Sequence, residues 1–216
     1  VAGLREEALA RLRAQRQRPS EDRLPRYVLQ LHSGQKHALV VDSRRSRLYV
    51  YENDEGRPKL IPHYYVGLAK NGMDKTREAD QKTAVGVYHV TANLPRSKLT
   101  DFYGAGAFPI NYPNEWDRRL GRNGYGIWLH GVPANVYSRP PRASDGCIVL
   151  SNPDLAKLPS LARFEAWRAA SRYITCSGRH SWGCLRQRSR AGLRWLWRMP
   201  LASRWRRSSI SWGKLL

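Results

Sequence analysis

The stretch Ile127–Leu150, IWLHGVPANVYSRPPRASDGCIVL, decides how this chain is read. It opens on a short apolar run that ends in His130 and closes on a second one that Cys147 introduces. Between the two lies a loop rich in Pro, Ser and Arg, the residues that punctuate strands. Two strands joined in this way can set His130 and Cys147 against each other across adjacent strand ends, the layout of a thiol nucleophile and its base. A free thiol, with a pKa of about 8.5, is only a few per cent ionised at neutral pH, and a neighbouring imidazole delivers the thiolate. Gly146 lets backbone approach a substrate closely. The N–H groups of Gly146 and Cys147 can then form an oxyanion hole, whose individual donors are worth about 10²- to 10³-fold in rate. The ordinary alternative for the same residue types is a small buried hydrophobe and a structural imidazole.

The local motifs go further than the spacing. His130-Gly131 followed by Ser144-Asp145-Gly146-Cys147-Ile148 resembles the signature of the YkuD-type L,D-transpeptidases, in which H-G, a loop, and S-H-G-C with a hydrophobic residue follow in that order. Upstream, Lys82–Tyr88, KTAVGVY, is similar to the T-P-x-G-x-[FY] strand of that family. Three positions depart from the pattern. Asp145 stands where most of the family carries a second histidine, Val149 where Arg or Asn is usual, and Ala84 where Pro is usual. In this form SDGCIVLSN is closer to the branch that includes L,D-carboxypeptidases.

The resemblance implies a mostly β catalytic domain, a YkuD-like β-sandwich with a few helices, acting without a cofactor on peptidoglycan stem peptides in the cell envelope or periplasm. It implies Cys147 as nucleophile and His130 as base, oriented in part by the backbone at Gly131, with Gly146 beside the nucleophile. The stem peptide loses D-alanine and leaves a thioester. An amine acceptor then gives a 3→3 cross-link and water gives carboxypeptidase trimming. Stem peptides expose carboxylates, which a guanidinium grips with two parallel hydrogen bonds; of the loop arginines Arg142 is preferred to Arg139, since it is nearer the nucleophile. Ser144 and Asp145 complete the expected substrate loop, and Trp128 and Tyr112 are candidates for the cleft wall.

Length and charge bound the remainder. The 216 residues suit one catalytic domain with appendages: a helical and linker segment over 1–35, the catalytic domain over 36–170, and a tail over 171–216. No run of about 18 apolar residues occurs, so no membrane span is expected, and nothing at the start reads as a signal peptide. From Ala166 onward there are eleven Arg and one Lys with no Asp or Glu, so this quarter carries +12 of the net +21. The tail, with its interleaved Trp and Arg, reads as a non-native or disordered extension, with a membrane-surface or nucleic-acid segment as the rival. The basic body suits a cell-wall polymer, and no specific nucleic-acid partner is expected. A remote alternative is a basic envelope or nucleic-acid binding protein in which Cys147 is structural. The six histidines show no metal-ligand spacing, so no metal is expected, and Cys176 and Cys184 are spaced to pair in an oxidising compartment.

In chain order, Leu4–Arg16 has Leu4, Ala8, Leu9 and Leu12 at helical spacing and predicts an amphipathic helix for packing or dimerisation. His37–Asp42 and Arg47–Tyr51 predict a hairpin over the turn Ser43–Ser46, followed by a strand over 60–68. A polar loop over 69–82 precedes a strand over 83–92, and 94–122 reads as an aromatic loop. A helix is predicted over 153–170, capped by Ser151 or Asn152 and interrupted at Pro159.

Overall fold

The computed structural model describes residues 2–16, 31, 34–161 and 172–176. The first element, α1 (Ala2–Arg16), is followed by β1 (His37–Asp42), β2 (Arg47–Asp54), β3 (Arg57–Tyr65) and β4 (Leu68–Ala69). Then come β5 (Val87–His89), β6 (Leu94–Pro95), two single 3₁₀ turns at Arg96–Lys98 and Asp101–Tyr103, and β7 (Gly106–Pro109). The chain continues through α2 (Glu115–Arg119), β8 (Trp128–His130), β9 (Arg142–Ser144), β10 (Ile148–Val149), α3 (Asn152–Leu161) and β11 (Arg172–Cys176). The strands make a five-stranded sheet in the order β3-β2-β1-β11-β5, a four-stranded sheet in the order β10-β8-β7-β6, and a small parallel pair, β4 with β9. The molecule is mostly β, as expected.

The hairpin forms as predicted, with β1 and β2 antiparallel from His37 opposite Glu52 to Asp42 opposite Arg47. Its turn is closed by the Asp42 carboxylate, which accepts from the Arg44 and Arg45 N–H groups at 3.0 and 3.2 Å. Alternation along these strands feeds two faces. Leu39, Val41, Leu48 and Val50 meet Phe108, Leu129 and Ile148 of the second sheet, together with Leu155 and Leu158 of α3, in one large core. Ala38, Val40, Tyr49 and Tyr51 form a smaller core on the opposite face with Leu31 and Leu60. This is why β1 is buried along its whole length, and why its sequence is a near-continuous apolar run.

Three readings change. Arg172–Cys176, assigned from sequence to the tail, is the strand β11, parallel to β1 and antiparallel to β5. A strand joining from far along the chain leaves no short-range signal, although Tyr173, Ile174 and Thr175 suit a pleated sheet. The remainder of the expected tail lies outside the described residues, and so does the pairing of Cys176 with Cys184. Second, α1 does not pack through its leucines: Leu4, Leu9 and Leu12 are exposed, while Glu7 is buried. Arg11 pairs with Glu7 at 2.9 Å and lies over the Tyr65 ring at 4.6 Å, and its carbonyl accepts from Arg47. Third, the aromatic stretch over 94–122 is not simply a loop. It contributes β6, β7 and α2, the last begun by a capping box between Asn114 and Asp117. Among the described residues no helix is long and apolar enough to cross a membrane.

Candidate active site

Strands β8 and β10 are parallel neighbours, with Ile148 opposite Leu129 and Val149 opposite His130. Leu129 and Ile148 point into the core. Because side chains alternate along a strand, Trp128 and His130 of β8 project from the other face, and so does Cys147 at the head of β10. The histidine and the cysteine are thus diagonal neighbours on one face, a juxtaposition that follows from register alone.

The imidazole is held on all sides. Nδ1 of His130 lies 2.7 Å from the Gly131 carbonyl oxygen. A carbonyl only accepts, so Nδ1 carries the proton and Nε2 keeps its lone pair, the tautomer a general base requires. Tyr103 meets the ring edge-on at 5.2 Å, Phe102 lies beside it at 5.6 Å, and Trp128 packs on Tyr103 at 4.9 Å. Burial pushes the His130 pKa down to about 4, against the pull of the Gly131 hydrogen bond, and the Arg139 charge adds to the lowering. His130 is therefore neutral throughout the physiological range.

Cys147 is half-buried, and its thiol donates to the Gly126 carbonyl at 3.3 Å. Burial pushes the thiol pKa up, and Asp145 adds to this; a backbone hydrogen bond from Trp128 and the charges of Arg139 and Lys75 pull it down. The preceding turn is closed by Ser144, whose buried hydroxyl donates to the Cys147 carbonyl at 2.6 Å and accepts from the Gly146 N–H at 3.3 Å. At Gly146 the backbone has φ +138°, and an added Cβ would stand 2.8 Å from Ile127 Cδ1 and 3.1 Å from the Lys82 carbonyl. Only glycine fits there. With the Gly146 amide engaged by Ser144, the Cys147 N–H is the donor that has no hydrogen-bond partner among the described residues.

The expected substrate residues divide. Trp128 is half-buried on β8 and packs on Tyr103. Ser144 is spent on the turn. Asp145 points outward and is bridged by Lys70 Nζ at 2.9 Å and Gln81 Nε2 at 3.0 Å, which ties the loop 69–82 to the turn before Cys147. Tyr112 is not a cleft wall: it is buried edge-to-face on Tyr88, and its hydroxyl points at the Lys75 and Asn123 carbonyls at 3.2 and 3.1 Å. A buried phenol needs such partners, and the core supplies them. Arg142 is exposed and lines a cleft between α1 and β4 together with Arg5, Arg13, Arg44 and Lys70. The guanidinium whose charge reaches both His130 and Cys147 is that of Arg139.

Asn152 was read from sequence as a possible helix cap, a role that Ser151 takes by accepting from the Asp154 N–H at 3.3 Å. Asn152 instead clamps the loops behind His130. Its Oδ1 accepts from Ala105 N at 2.9 Å and Val132 N at 3.1 Å, and its Nδ2 donates to the Val132 carbonyl at 2.8 Å. Gly131 lies against this amide so closely that a Cβ would collide with it. Phe102 and Tyr103 were also missed as neighbours of the histidine, since nothing in an irregular aromatic stretch says which ring faces the site. Among the described residues no cluster of three or more His, Cys, Asp or Glu is arranged to hold a metal ion.

Residues 36–163 match the family model of the YkuD L,D-transpeptidase catalytic domain. Among solved structures, Bd1075 of Bdellovibrio bacteriovorus is 30% identical with a TM-score of 0.58, over 71% of this chain and 53% of that one. The helical cell shape determining protein Pgp2 of Campylobacter jejuni shares the fold at 23% identity and a TM-score of 0.55, over 77% and 54% of the two chains. The chain thus spans about half the length of these structures. No match was found among curated protein sequences.

Proposed function

The chain belongs to the YkuD family of L,D-transpeptidase catalytic domains, and on that premise we propose that it is a peptidoglycan L,D-transpeptidase of the cell envelope with Cys147 as its nucleophile. The observation that carries the proposal is the tautomer of His130: Nδ1 is bound to the Gly131 carbonyl, which leaves Nε2 as acceptor on the face that Cys147 shares.

The substrate is a stem tetrapeptide whose third residue is followed by D-alanine. As its carbonyl enters, the Cys147 thiol leaves the Gly126 carbonyl and gives its proton to His130 Nε2. The sulfur attacks the carbonyl carbon, and the Cys147 N–H donates to the oxyanion. The C–N bond breaks, the D-alanine amine takes the proton from His130, and a thioester remains. An amine of a second stem peptide then displaces Cys147 to form a 3→3 cross-link and restores the thiol.

A second reading, L,D-carboxypeptidase action with water as acceptor, is favoured by Asp145. The carboxylate replaces the histidine usual in transpeptidases and is held outward by Lys70 and Gln81.

Incubation with a disaccharide tetrapeptide, followed by mass spectrometry, separates the two. A cross-linked dimer that is lost in Cys147→Ala is the expected result. Tripeptide with free D-alanine would transfer the assignment to carboxypeptidase action, and turnover that persists in Cys147→Ala would refute both.

A further inference from the structure

Arg139 differs from the arginines that the fold neutralises. Arg45, Arg96 and Arg122 each pair with a carboxylate. Arg139 is half-buried and has no acidic partner among the described residues. Its backbone is anchored by Tyr65, whose hydroxyl donates to the Arg139 carbonyl at 2.9 Å, and Gly67 packs close to its Cβ. Its guanidinium lies over the Phe102 ring at 4.8 Å, and Phe102 in turn lies beside His130. A ring face orients a guanidinium while leaving its N–H groups unspent. Arg139 is therefore a partly desolvated, pre-aimed cation one aromatic ring away from His130, with no carboxylate paired to it among the described residues.

We propose that Arg139 is a specificity-determining residue that binds the free C-terminal carboxylate of the residue leaving from the acyl group. The inference rests on the acyl-transfer reading above and adds the chemistry of the leaving group. In a substrate cleaved before its last residue, the terminal carboxylate carbon lies only about 4 Å from the scissile carbonyl carbon, across one N–Cα–C unit. The receiving cation must stand near both the nucleophile and its base, and Arg139, stacked on the ring that flanks His130, is placed for that role. Arg142, exposed in the α1 cleft, does not meet that condition. A fork of two N–H donors matches a carboxylate in two parallel hydrogen bonds and selects peptides that end one residue after the scissile bond. A longer or capped peptide has no charge at that point.

The test compares a tetrapeptide ending in a free carboxylate with the same peptide as its C-terminal carboxamide, in wild type, Arg139→Gln and Arg139→Lys. Wild type is expected to favour the acid in kcat/KM by roughly 10- to 100-fold. In Arg139→Gln the acid-to-amide ratio of kcat/KM falls to about one, whatever the change in the amide rate itself, while Arg139→Lys keeps part of the preference. Calorimetric binding of both peptides in a Cys147→Ala background makes the same comparison without turnover. Acid preference in binding that disappears with Arg139→Gln upholds the subsite even where no acyl transfer is detected, an outcome that would sink the catalytic reading alone. An unchanged acid-to-amide ratio in Arg139→Gln, or an equal loss for both peptides, overturns the proposal.

Discussion

Replacing Asn152 by Ala tests the idea that the base is held from behind by one side-chain amide. The amide makes three hydrogen bonds, at 2.9, 3.1 and 2.8 Å, to the backbone of Ala105 and Val132. Truncation leaves two N–H groups and one carbonyl without these partners. At about 1 kcal/mol net per bond the loss is about 3 kcal/mol, since the half-buried site lets water replace part of what is lost. For a domain of this size each kcal/mol corresponds to about 2–4 °C, so thermal unfolding should move down by about 6–12 °C. Asn152→Asp keeps the acceptor for both N–H groups but faces the Val132 carbonyl with a carboxylate, and should fall between wild type and Ala. Circular dichroism melts of the three proteins measure this directly. The clamp also sits against Gly131, whose carbonyl sets the His130 tautomer, so kcat should drop in Asn152→Ala even well below its melting temperature. A downward shift of less than about 2 °C, with kcat unchanged, would refute the argument.

Two further predictions follow from charge. Burial lowers the His130 pKa to about 4, so between about 4 and the unfolded value near 6.5 the folded protein binds fewer protons than the unfolded chain; its stability falls on acidification through that window. The acid limb of kcat/KM, which reports the free enzyme, should accordingly lie near pH 4, and a limb near 6.5 would contradict it. In the loop 69–82, burial pushes the Asp80 pKa up, but hydrogen bonds from Lys75 and from the N–H groups of Thr76, Arg77 and Lys82 outweigh this and bring it down to about 2. Its stabilisation is present above about pH 4 and is lost as pH falls towards 2. Asp80→Asn leaves Lys75 buried without its counter-charge and should cost about 3–5 kcal/mol in urea unfolding at neutral pH; a cost below about 1 kcal/mol would show that the ion pair does not hold this loop.

The legible parts of this chain are those whose partners are near in sequence or whose residue types have few roles. The β1–β2 hairpin could be read because two apolar, β-prone runs flank a polar turn, and the strands at His130 and Cys147 because each is a short apolar run with the functional-type residue at one end. β11 was not legible: a parallel neighbour arriving 130 residues after β1 leaves no local pattern, and its setting in an Arg-rich segment masks it. The leucines of α1 misled because helical spacing says only that one face is apolar, not that anything covers it. At the site, residue type says little about orientation. Arg139 and Arg142 are three residues apart in one loop, yet one lies over Phe102 beside the base and the other opens towards α1. Tyr112 shows the same limit, since a tyrosine next to a cleft and one capping buried carbonyls look alike in sequence.

On the proposed reading, in which Cys147 and His130 are the reacting groups, the two are shifted in opposite directions, and this decides how they would work together. Burial keeps the His130 imidazole from accepting a proton and the Cys147 thiol from giving one up. The pair therefore rests as neutral thiol and neutral imidazole, with the thiol donating to the Gly126 carbonyl, rather than as a standing thiolate and imidazolium. A standing ion pair would be nucleophilic towards any oxidant that reached it, since the thiolate is the reactive form. A neutral pair is activated only when the substrate carbonyl provides somewhere for the charge to go, so that proton transfer and attack on the carbonyl proceed together. On the proposed reading the Cys147 N–H is the oxyanion donor, and the Arg139 charge, which opposes protonation of His130 while favouring a thiolate, would be balanced by the carboxylate proposed to bind there. On this account Arg139 must be filled before the site reacts with the selectivity it has for a free terminal carboxylate, and the same residue links recognition of the leaving group to the timing of the chemistry.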